Sequence, residues 1–285
     1  MHNVQLSNGA FQGPTASPVL ELARTGTTRL VPVAFAVLLA GIAVLALAGP
    51  ASGQALESDS RFIVELEGGP AWQTRNDIQV PNDLTGTRFA LDDLTGSGPF
   101  PAFRLYAEWR LARRHGIRLL VAPLSIDGTG VLDEPTDFNE VTFAPGTPTE
   151  ATYRFDSYRL TYRYRLVLNP KWRVDIGLTG KIRSAETSLQ QDGVSTSYSN
   201  VGFVPLLHAA AAWQPSQGWS LALDADAAAA SQGRAFDISL KLYRDLSEHW
   251  SLSAGYRTLE GGADTDDVYT FAWFHYLTVS AVYRF

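Results

Sequence analysis

Cysteine is absent from this chain. That excludes disulfides, thiolate metal sites and a cysteine nucleophile, and it suits a chain that must cross an oxidising periplasm without mispairing. Charge is sparse, at 18% of the 285 residues, and mean hydropathy is close to neutral, so no series of membrane helices is hidden here. Phosphate-cradling glycine loops, zinc motifs and Ser–His–Asp signatures are missing, and no metal or cofactor is expected. Long apolar runs are also missing, with one exception at 31–49.

That run follows Arg24 and Arg29 and leads into the small residues around Gly53 and Ala55. A charged start, an apolar middle and a small-residue end describe a secretory signal over 1–55, cut near Ala55. A permanent single-span anchor is the alternative, since 19 residues can cross a bilayer. Of 23 basic and 29 acidic residues, Arg24, Arg29 and Glu21 leave with the signal, so 56–285 carries 21 and 28 and a net charge of −7. A nucleic-acid partner is not expected from that balance.

What is abundant is Gly, Thr, Ser and aromatic residues, arranged with a period of two. Stretches of about ten or more alternating residues occur at 61–73, 101–113, 116–130, 151–168, 171–188, 200–215, 217–230, 234–247, 249–262 and 267–285. Tilted strands that cross a bilayer need about 9–11 residues. Tyr158, Leu160, Tyr162 and Tyr164 take one face while Arg159, Thr161, Arg163 and Arg165 take the other. Trp172, Val174, Ile176, Leu178 and Ile182 likewise alternate with Arg173, Asp175, Thr179, Lys181 and Arg183.

A soluble sandwich would also alternate. Two features favour a membrane barrel. The breaks near Arg114–Gly116, Asn169–Pro170, Pro215–Gly218 and Ser247–His249 are tight, whereas 74–100, 131–150 and 189–199 read as long polar loops. Short periplasmic turns opposite longer outer loops are the barrel asymmetry. The tryptophans also cluster at strand ends: Trp109, Trp172, Trp213, Trp219 and Trp250 flank tight turns, and Trp72 and Trp273 lie near the loop end. Indole rings prefer the headgroup level, which makes these two girdles. The expected fold is all-β: a single antiparallel transmembrane β-barrel of ten strands.

The last strand resembles the terminal strand of bacterial outer-membrane barrels, with Leu277, Val279, Ala281, Tyr283 and Phe285 at alternate positions. The resemblance implies an outer-membrane location, recognition by the barrel-assembly machinery, and contact with outer-membrane lipid and lipopolysaccharide. A monomer is expected.

With the apolar set towards lipid, the polar set faces the lumen. Reversal would put Arg159, Arg163 and Arg165 into hydrocarbon at roughly 2–4 kcal/mol each. The inward set comprises Glu65, Glu67, Arg104, Glu108, Arg110, Arg159, Arg163, Arg165, Arg173, Asp175, Lys181, Arg183, Asp224, Asp226, Asp237, Lys241 and Arg257. A barrel of about ten strands is scarcely wider than one that its own side chains fill. The expectation is an ion-pair network that plugs or narrows the lumen, serving a structural or loop-mediated binding role. A small-solute channel is the first alternative.

A barrel enzyme is the second. His115 and His249 read as turn residues. Trp213 set opposite Trp219 would pair His208 with Asp224, both inward, and a carboxylate beside an imidazole can orient a general base. His275 shares the outward parity of Phe285 near the rim, where it resembles the histidine of lipid A 3-O-deacylases. Those enzymes carry a serine two residues later, where this chain has Leu277. Ten strands are also similar to the omptin proteases, which use an Asp pair and an Asp–His pair above the membrane. Asp264, Asp266 and Asp267 lie in the last loop without a histidine and read as a solvated turn. Gly96–Gly98 and Gly128–Gly130 read as turn glycines.

Overall fold

The computed structural model describes residues 60–285, so the expected signal segment at 1–55 lies outside the described residues. In chain order the strands are β1 (Phe62–Gln79), β2 (Phe89–Ala90), β3 (Phe100–Ala112), β4 (His115–Ala122), β5 (Ser125–Val131), β6 (Thr136–Phe138), β7 (Val141–Phe143) and β8 (Pro148–Leu168). They continue as β9 (Trp172–Gln191), β10 (Val194–Ser216), β11 (Trp219–Ala230), β12 (Gly233–Asp245), β13 (Trp250–Asp264) and β14 (Tyr269–Arg284). One four-residue helical turn, α1 (Asp92–Thr95), lies between β2 and β3.

Every long strand pairs antiparallel with its neighbour in sequence, and β14 returns to β1, with Ile63 opposite Arg284. The sheet therefore closes as a ten-stranded barrel, β4 and β5 acting as one interrupted strand against β8. Closure matters physically because an open sheet edge in hydrocarbon would leave backbone groups unpaired. The outer surface is a belt of exposed apolar side chains, including Leu66, Leu119, Leu160, Leu178, Ile182, Leu223 and Leu240. Aromatics stack across neighbouring strands at its turn-side margin. Phe62 lies 5.9 Å from Trp109, and Trp172 lies 6.0 Å from Trp213, opposite which it pairs.

Several expected boundaries move. The stretch 189–199 is not a loop. β9 and β10 run on to a two-residue turn at Asp192 and Gly193, both with positive φ (50° and 81°). Its polar residues misled because strands above the bilayer face water on both sides, whereas Asp–Gly is itself a strong hairpin signal. The strand read at 116–130 breaks at Pro123 and Leu124. Gly128 and Gly130 do not serve turns; they lie within β5, where an added Cβ would meet the α1 backbone at 2.5 Å (Thr95 Cα) and 2.6 Å (Asp93 O). Glycine there is what lets α1 dock.

The long loops carry structure of their own. A bulge between Gln73 and Arg75 flips the parity of β1, so Asn76 and Ile78 point inward above it. Leu91 just before α1 and Leu94 within it, Phe138 and Phe143 of the β6–β7 hairpin, and Ile126, Tyr153, Leu189 and Phe274 of the strands form one buried apolar cluster. This cluster is a lid packed onto the loop end of the barrel.

Candidate functional site

The inward side chains are long and charged, and burying an unpaired charge costs several kcal/mol. They resolve that cost by meeting across the lumen. Asp237 on β12 accepts from Arg257 on β13 at 2.5 Å, Arg159 on β8 at 2.7 Å and Arg104 on β3 at 3.0 Å. Arg159 uses its second nitrogen on Asp226 of β11 at 2.8 Å. Glu67 on β1 accepts from Arg257 at 3.1 Å and lies against Lys241, which also donates to Glu65 at 2.6 Å. Arginine suits this role because its planar fork can bridge two carboxylates while staying charged.

A second layer lies nearer the tight turns. Glu108 accepts from Arg163 at 2.8 Å, with Arg165 at 3.4 Å and Arg110 at 3.7 Å. Asp175 takes Arg163 at 2.9 Å and Arg173 at 3.2 Å. Asp224 is gripped by both terminal nitrogens of Arg118, at 2.7 and 3.1 Å. Arg118 was missing from the inward set; its parity pointed inward, but Leu120 and Ala122 on the same face hid the polar pattern. Tyr106, which accepts from Arg257 at 2.7 Å, was also missed.

Lys181 and Arg183 stand apart from both layers. Among the described residues no carboxylate lies within ion-pairing distance of Lys181. Its ammonium sits 4.9 Å from the centre of the Phe155 ring. Arg183 donates to Asn200 at 2.6 Å.

Two separate cavities flank the Asp237 layer. One of about 140 Å³ on the turn side is lined by Glu108, Arg118, Asp224, Lys241 and Arg257 among others. One of about 500 Å³ on the loop side has Arg159, Asp226 and Asp237 at its floor and Tyr153, Phe155, Leu259 and Phe274 in its walls. No residue lines both.

His208 does not pair with Asp224. Its Nδ1 lies 2.8 Å from Asp226, because the hairpin turns on Gln217 and Gly218 (φ 77°) and a bulge follows Trp213, placing Leu221 rather than Trp219 opposite it. Asp226 is then shared by His208, Thr179 and Arg159. No hydroxyl or other partner reaches the buried Nε2 of His208 among the described residues. His275 faces outward at the rim, with Tyr256 Oη 2.5 Å from Nδ1 and Thr74 Oγ1 3.1 Å from Nε2. Among the described residues, His115 and His249 are confined to the tight-turn side, with His115 against the Tyr162 hydroxyl at 2.6 Å. Asp264 accepts from Asn82 at 2.9 Å, and no group of three His, Asp or Glu side chains converges to hold a metal ion among the described residues.

No protein-family model and no curated protein matches this chain. Solved structures do. The outer membrane protease OmpT from Escherichia coli aligns with 81% of this chain and 99% of its own, at 9% identity and a TM-score of 0.50. The Ail attachment invasion locus protein of Yersinia pestis aligns over 79% and 99%, at 11% identity and 0.37. Neisserial surface protein A aligns over 79% and 97%, at 10% identity and 0.31. The fold is that of bacterial outer-membrane barrels, and the apolar belt with its aromatic margins places the chain in that membrane.

Proposed function

We propose that this barrel does not conduct solutes and serves as a structural and ligand-binding protein of the outer membrane, its lumen sealed by the Asp237 layer. The observation that carries this reading is the Arg104–Asp237–Arg159–Asp226 chain, which joins β3 and β8 to β12 and β11 across the interior. Each member is held by two or more partners, so opening a path means breaking several buried charge pairs at once. The lid over the loop end offers ordered protein surface for a binding partner. The belt contacts outer-membrane lipid and lipopolysaccharide, the alternating set ending at Phe285 engages the barrel-assembly machinery, and the protein works as a monomer. Proteoliposome swelling tests this: vesicles carrying the protein should swell in arabinose or glycine no faster than empty ones, and swelling at porin-like rates sinks the proposal.

A second reading rests on one contact. A hydroxyl next to an imidazole is the nucleophile–base arrangement of hydrolases, and Thr74 stands so beside His275 at the lipid-facing rim. The group behind the imidazole is the Tyr256 hydroxyl rather than a carboxylate, which favours a structural rim contact. Thr74→Val and His275→Ala should therefore leave lipid A acylation unchanged; loss of a deacylated product in either variant would restore the enzymatic reading.

A further inference from the structure

The barrel wall is incompletely zipped at one seam. β10 pairs with β9 along its length, from Val194 opposite Gln191 to Trp213 opposite Trp172. On its other side it pairs with β11 only from Leu207 opposite Ala227 towards the turn. β11 nevertheless continues to Ala230, fully paired with β12. Carried upward, the same register would set Leu206, Pro205 and Val204 against Ala228, Ala229 and Ala230, and none of these rows is joined. Proline supplies a cause: Pro205 has no N–H, and such a residue is tolerated where a strand is an edge. The outward lip carries Phe203 and Val201, each 70% exposed.

Behind this seam lies the 500 Å³ cavity. Its lining includes inward Lys181, Tyr153 and Phe155 together with Phe203, Pro205 and Ala229, which alternate to the outer face, so it reaches the outside through the gap. Its volume comes from sequence: above Asp226, Asp237 and Leu259 the inward positions of β11 to β13 are all small, namely Ala228, Ala230, Gly233, Ala235, Gly261 and Ala263. Into this mostly apolar chamber projects the Lys181 ammonium, only 4% exposed and without a carboxylate partner among the described residues, while the neighbouring Arg183 guanidinium is held by Asn200 at 2.6 Å. The carboxylates at the floor are already taken, Asp226 by Arg159, Thr179 and His208, and Asp237 by three arginines.

We infer that the β10–β11 seam is a lateral portal through which a single-chain anionic amphiphile passes from the outer leaflet into the cavity, where Lys181 binds its acidic headgroup. The apolar and aromatic walls take the chain, and the ammonium gains the anionic partner that the protein itself withholds. A cavity of this size lies within the range of small-molecule sites. The inference goes beyond a sealed lumen, since the plug supplies only the floor.

The test uses photoreactive diazirine palmitate, and the matching fatty alcohol, delivered in phospholipid vesicles that hold the full-length barrel. Palmitate should label peptides containing Tyr153, Phe155 or Phe274. Lys181→Met should cut that labelling by roughly tenfold or more, the scale of one charge-assisted hydrogen bond, and leave the alcohol unaffected. Lys181→Arg, which keeps the charge, should restore it. Because the chain has no cysteine, the pair Val204→Cys and Ala230→Cys can staple the seam: oxidation should abolish labelling and reduction should return it. Heat-dependent gel mobility confirms that each variant is folded. Equal labelling by the Lys181→Met variant overturns the headgroup site, and undiminished labelling of the stapled barrel overturns the portal. Either result would leave the swelling experiment, and the plug, untouched.

Discussion

Removing the Asp237 carboxylate is the sharpest perturbation of the plug. Its side chain is 4% exposed and its oxygens receive three guanidinium groups at 2.5, 2.7 and 3.0 Å. The consequences for the three arginines differ. Arg159 keeps Asp226 and Arg257 keeps Glu67, whereas Arg104 is left with Glu67 at a distant 3.8 Å. Asp237→Ala therefore leaves one buried cation with only that long contact and weakens two others, and breaking a buried pair costs about 3–5 kcal/mol. Adding Arg104→Met should recover about 1–2 kcal/mol, because an apolar side chain in place of an orphaned buried charge is neutral or stabilising. Adding Arg159→Met instead should not, since it takes from Asp226 its guanidinium partner and leaves that carboxylate to Thr179 and His208 alone. Urea unfolding in phospholipid vesicles, followed by tryptophan fluorescence, measures each value. A cost below about 1 kcal/mol for Asp237→Ala, or a double variant with Arg104→Met less stable than the single, would refute the assignment of this carboxylate as the hub of a buried network.

Other expectations are independent of the plug. Leu178 is 63% exposed in the middle of the outward belt, so Leu178→Arg should cost about 2–4 kcal/mol in the same unfolding assay; a cost near zero would place that position outside the hydrocarbon. Gly130→Val should undock α1, because its Cβ would fall 2.6 Å from the Asp93 carbonyl oxygen and the Leu94 Cα. The readout is faster proteolysis within 80–99 with unchanged heat-dependent gel mobility. Gly193→Ala, at a φ of 81°, should cost about 1 kcal/mol or more locally and raise amide exchange at the β9–β10 tip, while exchange deep in the belt stays unchanged. Partial desolvation, helped by the nearby carboxylates of Asp92, Asp133 and Asp77, holds the exposed Asp93 carboxyl of the lid above its usual pKa. The folded lid thus binds that proton more tightly than the open one, so its docking should strengthen as pH falls through the raised value, and Asp93→Asn should remove the dependence.

Alternation made much of the wall legible. Where one face is apolar and the other charged, as in β8 and β9, the period alone separated Tyr158 and Leu160 from Arg159 and Arg163. It failed where the chain adds a residue. The bulges at Gln73–Arg75 and Trp213–Ser216 shift register or parity without any composition change to announce them, and the second moved the partner of His208 from Asp224 to Asp226. Loop composition averaged out the lid: 74–100 and 131–150 look polar overall, yet Leu91, Leu94, Phe138 and Phe143 are buried together. The seam had one visible sign, Pro205 within an otherwise regular strand, but its meaning depends on where β11 ends, which is a matter of three-dimensional pairing.

The central claim is that side chains close this lumen, and single-channel recording on the purified barrel in a planar bilayer tests it most directly. The wild type should stay at the baseline of the bare membrane in symmetric potassium chloride, while a variant lacking the hub and its bridge, Asp237→Ala with Arg159→Ala, should show discrete openings. Stable wild-type steps of the size that the double variant produces would contradict a sealed interior.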